Sequence, residues 1–89
     1  VMVEQSPTFD PKKKADYLRI LMEEKQIPKF SQPIAKVDYM DGCKIYFEDD
    51  SFVSCRFSGT EPLLRLFAEA STKEQAEEYV KAFHDFLDL

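Results

Sequence analysis

A chain of 89 residues supports a single domain, and an apolar share of 44% with eight Phe and four Tyr is the make-up of a packed core that excludes wholesale disorder. The charge balance is acidic, 17 Asp and Glu against 12 Lys and Arg, without the basic stripe that a nucleic-acid surface needs to displace counterions. No apolar run approaches the roughly 20 residues of a membrane span and no signal-peptide pattern opens the chain, so a soluble, cytoplasmic protein with no membrane partner is expected.

Residues 1–9 contain Pro7 and no periodic pattern, and read as an interdomain linker or part of an edge strand, with the domain itself over residues 10–89. Asp10 then offers an N-cap, with Pro11 at the first helical position, where a missing amide is harmless. Lys12, Lys13 and Lys14 are the only basic run and read as a solvated face. Leu18, Leu21, Met22 and Lys25 follow at helical spacing, which predicts a helix from about Pro11 to Gln26, closed before Pro28.

From Ile34 the period changes from 3.6 to 2. Ile34 to Met40, Cys43 to Glu48, Ser51 to Phe57 and Leu63 to Ala70 are the four predicted strands. Asp41-Gly42, Asp49-Asp50 and Ser58 to Pro62 lie between them. Thr72, with Gln75 three residues on, resembles a capping box for a last helix whose apolar stripe is Ala76, Tyr79, Val80, Phe83 and Leu87. The expectation is an α+β domain, ordered α-β-β-β-β-α, with a four-stranded antiparallel sheet and helices on one face.

Two alternatives for Cys43 and Cys55 turn on loop length. An odd turn centred on Asp49 sets them opposite each other and gathers Cys43, Ile45, Phe47, Val53, Cys55 and Phe57 on one face; a two-residue turn separates them. Buried free thiols are expected in preference to a bridge. A metal site is not expected, since there is no Cys-x-x-Cys and only one histidine, His84, which reads as a surface or packing residue.

The segment Arg56-Phe57-Ser58-Gly59-Thr60-Glu61-Pro62 carries the chemistry. An arginine fork, two hydroxyls and a glycine that lets amides approach an anion suit a tetrahedral oxyanion. The same residue types also make an ordinary polar turn.

The run R-F-S-G-T-E-P-L-L-R-L-F-A-E from Arg56 to Glu69 resembles the phosphate-binding signature of the α-D-phosphohexomutase superfamily, with the Asp41-Gly42 hairpin before it and a capped helix at Thr72 after it. The resemblance implies the C-terminal domain of a phosphoglucomutase/phosphomannomutase, with a TATA-box-binding-protein-like fold that carries no DNA role. It implies that Arg56, Ser58, Gly59 and Thr60 hold the non-reacting phosphate of a hexose phosphate, glucose or mannose 1- or 6-phosphate, while another phosphate moves between the 1- and 6-positions. Phe57 stands where the family commonly has proline. Arg65 and Glu69 recur in the family pattern and are expected to support the loop as an ion pair, with Glu61 bracing the turn.

No residue of this chain is expected to be catalytic or to hold a cofactor. The Mg²⁺ and phosphoserine of such enzymes, and their sugar-reading loop, belong to the remaining domains of the parent, so the domain alone is expected to be inactive. Two other readings compete: a free-standing phosphate-binding module unrelated to catalysis, and a structural domain whose loop binds nothing.

Overall fold

Burial alternates strictly along the central strands. Cys43, Ile45 and Phe47 are buried while Lys44 and Tyr46 between them are half-exposed. The computed structural model, which describes residues 1–89, has a five-stranded sheet: β1 (Met2–Gln5), β2 (Ile34–Asp38), β3 (Cys43–Phe47), β4 (Phe52–Phe57) and β5 (Leu64–Glu69). The alternation runs through β3, β4 and β5 and is absent from the edge strands β1 and β2. The strands lie in the order β1-β5-β4-β3-β2, and every pairing is antiparallel. Val53, Cys55, Leu64, Leu66 and Ala68 continue the buried face.

Two helical segments supply the rest of the core. The last helix, α2 (Lys73–Phe86), contributes Ala76, Tyr79, Val80 and Phe83. The first begins as a 3-10 turn, Pro11–Lys13, continues as α1 (Lys14–Leu18) and widens into a π-helical turn, Arg19–Glu23. Tyr17 and Leu21, one turn apart on the same side, bury themselves in the core. The Tyr17 hydroxyl donates to the Leu87 carbonyl at 2.9 Å and ties the two helical segments together. Phe30, in the loop before β2, packs edge-on to Phe47 and Tyr79.

Three expectations are corrected. The sheet has five strands, where four are predicted, because residues 2–5 pair with β5 from Met2↔Glu69 to Gln5↔Leu66. Of the two readings of residues 1–9, the edge strand describes Met2–Gln5. Only Val3 within it is partly buried, so backbone hydrogen bonds hold it and the sequence carries no alternation. The first helix stops at Glu23, short of Gln26, because Lys25 turns left-handed at φ 53°. The capping box is half made: Thr72 Oγ1 accepts from the Gln75 amide at 3.2 Å, but the Gln75 side chain turns to Asp49 and Tyr79.

Both hairpins use three-residue loops. Asp38 pairs with Lys44 around Asp41, and Cys43 pairs with Cys55 around Asp49. The third loop residue is left-handed in each, Gly42 at φ 83° and Asp50 at φ 72°. The odd turn at Asp49 therefore sets the two cysteines opposite each other as buried free thiols. Burial pushes the Cys43 thiol up to about 11 and the Cys55 thiol higher still, so both stay protonated.

Gly42 has a second constraint. A Cβ there would sit 2.4 Å from the Cys55 carbonyl oxygen, so the turn packs backbone to backbone against β4. Left-handed strain and this overlap together predict that Gly42→Ala destabilises the domain by about 2–4 kcal/mol in urea denaturation.

Asp49 links the other turn to α2. Its carboxylate accepts from the Ser51 hydroxyl, from the Ser51 amide at 3.0 Å and from the Gln75 side chain at 3.0 Å. Tyr79 closes the group, 2.7 Å from both Ser51 Oγ and Gln75 Nε2. The Ser51 hydroxyl first, then the Ser51 amide and Gln75, hold the Asp49 carboxyl below its usual range. A lowered folded pKa means the contribution is present above the unfolded carboxylate value of about 4 and is lost as pH falls through the folded one. Thermal melts should therefore show Asp49→Ala less stable than the parent at neutral pH, with the gap closing on acidification below about pH 4.

Candidate functional site

The third and fourth predicted strands, β4 and β5, are joined by the loop that the sequence singles out. Arg56 shares parity with Phe52 and Ser54, so it lies on the sheet face opposite the helices. Its side chain is 53% exposed, and its Nη1 lies 3.6 Å from Asp41 Oδ2. Directly across the ladder stands Arg65. Lys44, Ser54, Arg56 and Arg65 line a shallow cavity of about 340 Å³ with Phe52, Phe67 and one acid, Glu4. The Lys44 ammonium sits 4.4 Å from the centre of the Phe52 ring.

Like charges facing each other across a ladder repel. Only Asp41 offsets this group by an ion pair; Arg65 and Lys44 have none. A domain of net charge −5 thus carries a local cationic spot beside its most glycine-dependent turn.

Two layers of hydrogen bonds shape the loop. Ser58 is 6% exposed; its amide donates to Leu63 O at 3.1 Å and its Oγ accepts from the amides of Thr60 and Glu61, both at 3.3 Å. Leu63 N–H donates to Glu61 O at 2.8 Å. Outside the loop, Thr8 bridges to Leu63, and the Phe9 amide donates to Pro62 O at 3.0 Å. The Phe9 ring meets Phe57 and Tyr17 edge-on, at 6.2 and 5.2 Å between centroids. Phe57 anchors the loop's entry by packing.

Gly59 and Thr60 are exposed at the tip, beside a 220 Å³ cavity that Pro11 and Lys14 also line. The Gly59 amide has no acceptor within the chain. A Cβ on Gly59 would meet nothing within 4 Å, and its φ is not left-handed. The fold itself therefore does not require glycine here.

Of the predicted residues, Arg56, Gly59 and Thr60 present donors to solvent, while the Ser58 hydroxyl turns inward to organise amides. Glu61 braces the turn through its carbonyl, and its carboxylate makes no hydrogen bond. Arg65 and Glu69 share the uncovered face, but four residues along a strand separates them by roughly 13 Å, so they form no ion pair. Arg65 faces Arg56 and Glu69 faces Phe52. Sequence reading missed Lys44 and Asp41 as neighbours of Arg56; parity with Ser54 and Arg56 would have found Lys44 once the odd turn was fixed.

Nowhere are three His, Cys, Asp or Glu side chains grouped to hold a metal ion, and no helix is long and apolar enough to cross a membrane. The Arg56 guanidinium lines the cavity on the open sheet face, whereas Gly59 and Thr60 line the one beside Pro11 and Lys14; each offers donors of a type fit for an oxyanion, and the two sets do not share a cavity.

Residues 12–86 match the family described as phosphoglucomutase/phosphomannomutase, C-terminal domain. The chain belongs to that family. A probable phosphoglucosamine mutase of Methanosphaera stadtmanae is 37% identical over 86 residues, covering 97% of this chain and 19% of the relative. A phosphoglucomutase/phosphomannomutase of Thermococcus kodakarensis is 52% identical over 46 residues, 52% of this chain and 10% of the relative. A phosphopentomutase of the same organism is 35% identical over 86 residues, 86% of this chain and 19% of the relative. The mutase domain thus spans no more than 19% of these relatives' length.

Within the mutase domain, Ser58 is the loop's internal acceptor. Ser58→Ala should leave the Thr60 and Glu61 amides unpaired, speeding their hydrogen exchange and lowering stability by about 1–2 kcal/mol.

Proposed function

We propose that this domain holds the non-reacting phosphate of a hexose phosphate while the parent mutase moves phosphate between the 1- and 6-positions of the sugar. Arg56 supplies the charge and the planar fork, the Gly59 amide and the Thr60 hydroxyl supply further donors, and Ser58 fixes the loop that presents them. The observation that carries this reading is Gly59. Neither its backbone angle nor its surroundings call for glycine, whereas a phosphate resting on its free amide would.

Relatives named for glucose and mannose, glucosamine and pentose phosphates share this domain. That spread supports a clamp that reads phosphate and little of the sugar, which suits both orientations of the substrate. Holding the remote phosphate also restrains the reacting end and lowers the entropic part of the barrier. The family resemblance assigns Mg²⁺, the phosphoserine and the sugar-reading loop to the remaining domains, so this domain is inactive alone and acts in the cytoplasm as part of the parent. The TATA-box-binding-protein-like description belongs to the same reading. Cleft closure by rotation would carry residues 1–9 along, since Val1, Pro7 and Phe9 are hydrogen-bonded to the sheet and loop.

Two or three charge-assisted hydrogen bonds, less the cost of association, give an affinity of about 1 mM. An NMR amide-shift titration with glucose 1-phosphate and glucose 6-phosphate should move residues 56–60 similarly for both sugars. Arg56→Ala should abolish the shifts; Gly59→Ala should weaken binding without loss of thermal stability, and His84→Ala should change nothing. Shifts that survive Arg56→Ala, or none well above millimolar ligand, would overturn the proposal.

A further inference from the structure

The turn centred on Asp41 is built onto the root of Arg56. A Cβ at Gly42 would lie 3.1 Å from Arg56 Cα and 3.3 Å from Arg56 Cγ, besides its overlap with the Cys55 carbonyl. The Met40 amide donates to Asp38 Oδ1 at 2.8 Å and steadies the same turn. The backbone at Asp41 is therefore seated against β4, which brings its exposed carboxylate within reach of the guanidinium.

The contact itself is weak. At 3.6 Å it exceeds a hydrogen bond, it is made through one nitrogen, and both side chains are more than half exposed. Most of the arginine fork stays free. Other charged groups around Arg56 are Asp38 and Lys44 from β2 and β3, Arg65 from β5 and Glu4 from β1. Only Asp41 pairs with it.

We propose that Asp41 is a positioning residue, an internal counter-ion that holds Arg56 near its working orientation and competes with bound phosphate. This rests on the phosphate-clamp reading above. In the free domain the carboxylate offsets part of the repulsion between Arg56 and Arg65. With phosphate bound, the same carboxylate stands a few ångströms from a second anion and weakens its hold. A clamp that must accept a sugar phosphate in either orientation has to release it, and a built-in competitor keeps that release easy.

Charge fixes the form of the test. Coulombic repulsion from Asp41 acts twice as strongly on a phosphate dianion as on a monoanion, so the affinity factor for the monoanion is the square root of that for the dianion. Asp41→Asn removes the charge and keeps the size and shape of the side chain, and Gly42 still supplies the left-handed residue, so the turn survives. Asp41→Glu keeps the charge and serves as the conservative variant.

The experiment is the amide-shift titration with glucose 6-phosphate on the 89-residue domain, at about pH 7.5 and about pH 5, on either side of the phosphate pKa near 6. Asp41→Asn should bind about threefold to tenfold tighter at the higher pH and about twofold to threefold tighter at the lower, with Asp41→Glu close to the parent. Equal or weaker binding by Asp41→Asn, or one factor at both pH values, would overturn the counter-ion role while leaving the clamp intact. Parent binding that survives Arg56→Ala would instead remove the clamp reading, and this proposal with it.

Discussion

Two three-residue turns, at Asp41 and Asp49, set the parity of the side chains in β3, β4 and the part of β2 from Lys36 on, past its register shift after Ile34. A strand's side chains alternate faces, so one residue more or less in either loop would move an entire row from the core to solvent. With these loops, Cys43, Ile45, Phe47, Val53 and Cys55 face the helices, while Lys44, Ser54 and Arg56 face away. The same parity that dries the core therefore delivers Arg56 to an open surface. Left-handed residues end both loops; Gly42 does so under steric necessity, and Asp50 through the tolerance of a short polar side chain.

Dry and charged functions separate by face. Behind the sheet, α2 and the first helical segment bury aromatic and aliphatic rows, and the hydrogen bond from Tyr17 to Leu87 ties the segments together. In front, Lys44, Arg56 and Arg65 gather, with Asp41 paired to Arg56 and Glu4 lining the same cavity. The loop between β4 and β5 stands at the edge of this arrangement. Its rigidity comes from below and outside: Ser58 gathers two amides, and residues 7–9 bond to its exit. Its tip, Gly59 and Thr60, is left open. A binding loop that is stiff at its base and unencumbered at its tip loses little entropy when it meets an anion.

Much of this was legible from residue order. Alternation marked β2 to β5, the stripe from Ala76 to Leu87 marked α2, and the run from Arg56 to Pro62 marked the loop. The edge strand was legible only as one of two alternatives, because Met2–Gln5 is held by backbone pairing to β5, which leaves no hydrophobic period. The Arg65–Glu69 pair failed on distance: a shared face says nothing about separation along the strand. Gln75 left its capping partner because Asp49, distant in sequence, and Tyr79, one turn along the helix, accept from its side chain.

The sequence by itself determined the class of fold, the buried row of each central strand and the residues of the donor loop, because local periodicity and turn chemistry are properties of neighbouring residues. Only the tertiary structure decided that Asp41 and Arg65 share Arg56's surroundings, that Gly42 must be glycine because of Cys55, and that Gly59 need not be glycine for the fold's own sake. Those facts depend on distances across strands and between turns. Such distances are fixed by the packing of segments far apart in the chain, where no residue-to-residue pattern records them.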